Sequence, residues 1–133
     1  MSLYVVDASA AVEYLLRTPL GLSFAGTIEG ARVAAPDLID AEVMSGLRRA
    51  VHAGRLTEER AVMAVDALTQ WPVRRIASRA LAPAAWQHHR NVTSYDAFYV
   101  AAASTLGAPL ITTDGRLARA PGLGITVQHI RIS

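Results

Sequence analysis

Asn91-Val-Thr-Ser-Tyr-Asp-Ala-Phe-Tyr-Val-Ala-Ala-Ala-Ser-Thr-Leu-Gly-Ala-Pro-Leu-Ile-Thr-Thr-Asp-Gly115 decides the fold of this chain. Thr93 reads as a helix cap with Asp96 three residues on, and the apolar run behind it as the helix. Gly107 and Pro109 end that helix. Leu110-Ile111-Thr112-Thr113 is then a short buried strand that stops at Asp114. One carboxylate therefore stands at a helix N-terminus and a second at a strand C-terminus. In a parallel α/β sheet these two kinds of end share the edge at which ligands bind. The first strand, Leu3-Tyr4-Val5-Val6, also runs into an acid, Asp7, so the three are expected to converge.

The remaining elements fall around this pair. Leu3 to Val6 is continuously apolar, as in a strand covered on both faces. Ser9 is the expected N-cap of a helix over 10–16. A second helix starts at Thr18-Pro19 and reaches about Glu29, with Leu20, Phe24 and Ile28 on one stripe. Arg32 to Ala35 is a second strand. Pro36-Asp37 opens a third helix to about His52, whose stripe is Ile39, Val43, Leu47, Ala50 and Val51. Glu42, Ser45, Arg49 and His52 share another face of it, which brings a fourth carboxylate to the same edge. Thr57 caps a fourth helix burying Ala61, Val62, Val65 and Leu68, and Val73 to Ile76 is a strand. Ser78 to about His89 is helical around Pro83, Arg116 to Arg119 is a short helical piece, and Ile125 to Ile130 a last strand. The expectation is one α/β domain over 1–133. It has three layers, a central mostly parallel sheet of about four to five strands flanked by helices.

Composition narrows the chemistry. With 52% hydrophobic and 18% charged residues, the 133-residue chain is globular rather than disordered. It has no cysteine, which removes disulfides and thiolate zinc sites and fits a reducing, cytoplasmic setting. All thirteen basic residues are arginine. Without lysine there is no Walker-type phosphate loop and no Schiff-base enzyme. Guanidinium, by contrast, matches phosphate bidentately. Met1-Ser2-Leu3-Tyr4 lacks a basic segment leading into an apolar signal core, so no export signal is expected. The uncharged run from Ala97 to Thr113 is too short and too broken for a membrane span.

Each acid has an ordinary structural use: Asp7 in a turn, Glu42 on a helix dipole, Asp96 in a capping box, Asp114 before Gly115. Taken singly, each such use outweighs catalysis. Gathered at one edge, however, four carboxylates raise one another's pKa unless a cation lies between them. Oxygen-rich sites without imidazole suit Mg²⁺ or Mn²⁺, and these ions take substrate phosphates. The chemistry implied is metal-assisted phosphodiester hydrolysis, with Asp7, Glu42, Asp96 and Asp114 as ligands. Ser9 and Thr112 or Thr113 are candidate supporting donors, set against their plain use as caps and strand ends. His88 and His89 diverge by about 100° on a helix and make no centre, and His52 and His129 stand alone. No serine has a nucleophile-elbow signal around it.

Over essentially its whole length the chain resembles PIN-domain ribonucleases of the VapC toxin type. The resemblance rests on Val5-Val6-Asp7-Ala8-Ser9, Ala41-Glu42-Val43, Thr93-Ser94-Tyr95-Asp96-Ala97-Phe98-Tyr99 and Leu110-Ile111-Thr112-Thr113-Asp114-Gly115-Arg116-Leu117-Ala118. It implies an acidic quartet at Asp7, Glu42, Asp96 and Asp114, and endoribonuclease activity dependent on Mg²⁺ or Mn²⁺. It also implies homodimerisation, or a larger toxin–antitoxin assembly, and neutralisation by a cognate antitoxin whose tail enters the active cleft. Ser45 departs from the asparagine that many relatives carry, and His88-His89 from a common Leu-Arg. Arg48, Arg49, Arg116 and Arg119 border the acidic positions in sequence and are the candidate RNA contacts. The competing expectations are a phosphoacceptor-type signalling domain, which ordinarily needs a lysine, and a catalytically idle module that binds RNA or protein. Single-stranded RNA is the accessible target, because A-form grooves hide base edges.

Overall fold

The computed structural model describes residues 1–132. Among these, five strands and seven helices alternate: β1 (Leu3–Val6), α1 (Ala8–Leu16), α2 (Pro19–Glu29), β2 (Arg32–Pro36), α3 (Ile39–His52), α4 (Glu58–Gln70), β3 (Arg74–Ile76), α5 (Ser78–Trp86), α6 (Ser94–Leu106), β4 (Leu110–Thr112), α7 (Gly115–Ala118) and β5 (Val127–His129). The strands form one sheet in the order β3-β2-β1-β4-β5. All neighbours pair in parallel, with Val5 opposite both Ala34 and Leu110.

The chain steps from β1 outward to β2 and β3, then crosses back to β4 and β5. Parallel crossovers are right-handed, so the reversal places the helices after β3 on the opposite face from those before it. Helices α1 to α4 pack on one another as one layer, while α6, paired with α5, lies over β1, β2 and β4. This sandwich explains the apolar strands: Val5, Val6, Ala34, Ala35, Leu110 and Ile111 are fully buried. It also explains why α6 is apolar on most sides, since its alanines at 97 and 101–103 are buried, letting it lie close to the sheet. The gap where the chain reverses lies between β1 and β4. There the C-terminal strand edge opens for a ligand.

Several sequence expectations shift. Ser9 does not cap α1; Asp7 does, its side chain accepting the Ala10 N–H, so the helix starts at Ala8. Helix α3 begins at Ile39 rather than at Pro36, because Pro36 still pairs with Ile76 in the sheet. The Asp37 carboxylate serves another element, accepting from Ser78 N at 3.1 Å and Ser78 Oγ at 2.6 Å. Helix α5 stops at Trp86, short of His89, whose ring stacks on Trp86 with centroids 4.3 Å apart. Strand β5 is three residues, not six. Val62, expected inside, is 55% exposed, and Ala64 takes the buried place beside Leu68. Among the described residues no helix is long and apolar enough to cross a membrane.

Candidate active site

A cleft of about 780 Å³ opens at this edge, and Asp7, Glu42, Asp96 and Asp114 all line it. Asp7 follows β1, Asp114 follows β4, Glu42 sits in the first turn of α3, and Asp96 in the first turn of α6. Four segments distant in sequence thus meet because β1 and β4 are neighbours in the sheet and α3 and α6 start at the same edge.

Asp7 is the anchored member. Its Oδ1 accepts from Ser9 Oγ at 2.7 Å and from Ala10 N at 3.0 Å; Oδ2 accepts from Thr112 Oγ1 at 2.5 Å. The same Thr112 hydroxyl accepts the Asp114 N–H at 2.9 Å, and Ser9 Oγ accepts the Thr113 N–H at 3.0 Å. Ser9 and Thr112 therefore tie the end of β1 to the end of β4. Thr113 joins this network through its backbone, not its hydroxyl. Asp114 caps α7, with Oδ1 accepting from Arg116 N at 2.9 Å. So Asp7 and Asp114 do have the structural uses their positions suggested, while still facing the cleft.

Burial pushes the Asp7 carboxyl up to about 6, in spite of its three hydrogen bonds, with the charge of Asp96 adding to the rise. Glu42 and Asp96 are raised too, chiefly by burial; Asp96 acts on Glu42, and Asp114 acts on Asp96. Arg49 pulls Glu42 back and Arg116 pulls Asp96 back. Asp96 is the hub of this field, because its charge is felt at both Asp7 and Glu42.

Tyr99, three residues along the same helix face, puts a phenol into the cleft although the residue is only 1% exposed. The hydroxyl lies against Glu42, whose pKa it lowers. Even so, Glu42 Oε1 and Tyr99 Oη meet no partner at hydrogen-bonding geometry, and both are buried. Two buried polar atoms left facing one another are costly and call for a third group.

The carboxylates share a cleft rather than a cage. Among the described residues no three acids or histidines stand close enough together to hold one ion by themselves. This suits Mg²⁺, which keeps several waters and is held by one or two carboxylates with substrate phosphate completing its shell. The clustered raised pKa values and the orphaned Glu42 oxygen fit such an ion.

Of the arginines expected to contact RNA, Arg49 lines this cleft, held at 3.0 Å on Ser45 Oγ. Arg116 lines a smaller neighbouring hollow. Arg48 lines neither, and Arg119 lies against Gly115, where an added Cβ would meet its Nη1 at 2.7 Å. Arg55 and Arg60 line the cleft unforeseen; Arg60 arrives from α4, donating to Leu16 O at 3.1 Å. No local pattern signals that contact, whereas the Asp96–Tyr99 spacing could have revealed the phenol. His88 and His89 line neither opening.

A PIN domain model matches residues 4–123. The chain is 43% identical over 129 residues to Ribonuclease VapC1 of Mycobacterium tuberculosis, covering 96% of this chain and 97% of the relative. It is 40% identical over 126 residues to Ribonuclease VapC12 of the same species, covering 95% and 98%. Among solved structures it resembles PAE2754 from Pyrobaculum aerophilum, with a TM-score of 0.65, 23% identity, and 95% and 89% of the two chains covered. It also resembles VapBC2 from Rickettsia felis, solved bound to a DNA fragment from its promoter, with a TM-score of 0.63, 14% identity and coverage of 97% and 99%. At these identities the structural likenesses concern the fold alone. The family model and the near full-length relatives agree with the α/β fold: this chain belongs to the PIN-domain family.

Proposed function

We propose that this protein is a ribonuclease dependent on Mg²⁺ or Mn²⁺ that hydrolyses phosphodiester bonds within single-stranded RNA, the toxin of a toxin–antitoxin pair. The observation that carries the reading is the buried, partnerless Glu42 oxygen in a cleft where Asp7 and Asp96 also have raised pKa values. The ribonuclease names of the mycobacterial relatives add to it. Asp7, Glu42, Asp96 and Asp114 would share the ion, one or two of them directly and the others through water, with substrate phosphate completing its shell. When bound, it supplies a Lewis acid that polarises the scissile phosphate and acidifies water.

The chain's own groups do the rest. Ser9 and Thr112 hold Asp7 in one orientation and tether the end of β4 to it. Tyr99 restrains Glu42. Asp96, whose charge acts on both Asp7 and Glu42, would orient an attacking water. Arg49, Arg55 and Arg60 neutralise RNA phosphates along the cleft.

The same cleft suits an antitoxin segment, for apolar Val12, Leu16, Leu38 and Leu56 line it together with the cationic Arg49, Arg55 and Arg60. A VapB-like antitoxin as inhibitor, and a homodimer as the active form, complete the reading. The decisive experiment incubates purified protein with cellular RNA in Mg²⁺, Mn²⁺ or EDTA, beside an Asp96→Asn control. Cleavage that needs the metal and vanishes in the control is expected. Undiminished cleavage by Asp96→Asn, or none by the wild type in either metal, would leave an idle binding module as the better description.

A further inference from the structure

Beside the main cleft lies a second hollow of about 400 Å³, lined among others by Arg90, Asn91, Thr93, Asp96, Asp114 and Arg116. Asp96 and Asp114 line both openings, so these acids stand on the saddle between two connected depressions. Each depression carries its own cations. Arg49, Arg55 and Arg60 lie on one side of the saddle, Arg90 and Arg116 on the other. The second pair is only loosely engaged. Arg116 has its side chain 90% exposed and reaches Asp114 only at 3.9 Å, while Arg90 forms no ion pair among the described residues.

A groove with a single cationic arm would grip a polyanion at one end of the reacting bond. Here cations flank the acids on both sides, and the acids would otherwise repel a phosphodiester chain from either direction. We propose that the second hollow is an RNA subsite, in which Arg90 and Arg116 bind the phosphate of the strand that continues past the cleaved bond, away from the main cleft. This rests on the ribonuclease reading and sharpens it. The strand lies across the saddle and runs on into both depressions, so the enzyme cuts inside a chain and draws affinity from nucleotides on both sides. Arg90 and Arg116 position the strand; they do not touch the reacting atoms.

The test uses synthetic single-stranded RNA centred on a cleavage site mapped in total cellular RNA, plus two versions shortened on either side of the cleaved bond. KM and kcat are measured for the wild type and for Arg90→Ala/Arg116→Ala over a range of salt. The double variant is expected to raise KM on the full-length RNA about tenfold with little change in kcat. For every phosphate that the variant no longer neutralises, the salt slope should fall by about 0.7, the value for single strands. On the probe lacking the nucleotides that occupy this hollow, variant and wild type should perform alike, because that RNA offers the two arginines nothing to grip. A wild-type KM and salt slope for the variant on full-length RNA would overturn the subsite while leaving the ribonuclease standing. The same holds if the impairment is equal on all three probes. A wild type that leaves every probe uncut would remove both.

Discussion

Asp7 is the residue at which stability and the proposed function oppose each other. Its folded-state pKa is about 6 against an ordinary 3.8, so between those values the native protein binds the extra proton. Its contribution to stability is therefore fully present below about pH 3.8 and is lost as pH rises through about 6. At neutral pH the fold carries a buried charge it would be better without. Asp7→Asn resembles the protonated acid, keeping the shape and the Oδ1 acceptor while an N–H replaces the oxygen that accepts from Thr112. It is expected to stabilise the protein at pH 7.5 by about 1–3 kcal/mol, at ~1.4 kcal/mol per pK unit. At pH 4 the gain should disappear, while RNA cleavage is abolished throughout. Urea denaturation at the two pH values checks this; a variant less stable than wild type at pH 7.5 would contradict the assigned cause. Tyr99 yields a complementary expectation. Because its hydroxyl lies against Glu42 without reaching good hydrogen-bond geometry, Tyr99→Phe should cost little stability. Mn²⁺ affinity, measured by calorimetry, should nevertheless fall about tenfold, the usual cost of removing a group that orients a ligand. Reduced stability with intact affinity would make the phenol a core residue only.

Among the elements, the contact between α1 and α2 is the least forgiving. Gly21 lies where an added Cβ would meet Glu13 O at 2.0 Å, a backbone atom that cannot swing aside. Gly21→Ala should therefore force the helices apart at a cost of about 3 kcal/mol or more, read as a fall in melting temperature. Activity should fall with it, since Glu13, Leu16 and Thr18 in this pair of helices line the cleft. Between β1 and β4 the joint is the Thr112 hydroxyl, which donates to Asp7 Oδ2 and accepts from Asp114 N. Thr112→Val leaves that part-buried N–H and the Asp7 carboxylate each short of a hydrogen bond and is expected to cost about 1–3 kcal/mol by chemical denaturation. Leu68 and the caps at Thr18, Thr57 and Thr93 were legible locally, because capping and amphipathic spacing act within a few residues. The start of α3 was not, because Pro36 and Asp37 answer to β3 and α5, which come much later in the chain.

At the level of the whole molecule, the cleft should couple folding to metal. An ion that binds only the folded chain stabilises it by about 2.7 kcal/mol at a hundredfold excess over its dissociation constant. Saturating Mn²⁺ is accordingly expected to raise the melting temperature of the wild type and not of Asp96→Asn. The increment should shrink as pH falls through about 6, where Asp7 takes up a proton and ceases to be a ligand. An increment unchanged between pH 7.5 and pH 5.5 would exclude Asp7 from the ion's shell. Differential scanning fluorimetry with Asp7→Asn alongside separates that outcome from a general acid effect.

Sequence alone determined the alternation of strands and helices and the four acidic positions, together with the exclusions that follow from absent lysine and cysteine. These are properties of neighbours along the chain: spacing of apolar residues, caps, turn residues and composition. Strand order belonged to the tertiary structure, since it depends on which crossovers reverse direction across the sheet. So did the departure of Arg119 from the cleft and the arrival of Arg55 and Arg60, which follow from how α7 and α4 pack. The raised pKa of Asp7 was likewise invisible beforehand, because the depth of its burial is set by β4 and by Thr112, more than a hundred residues away along the chain.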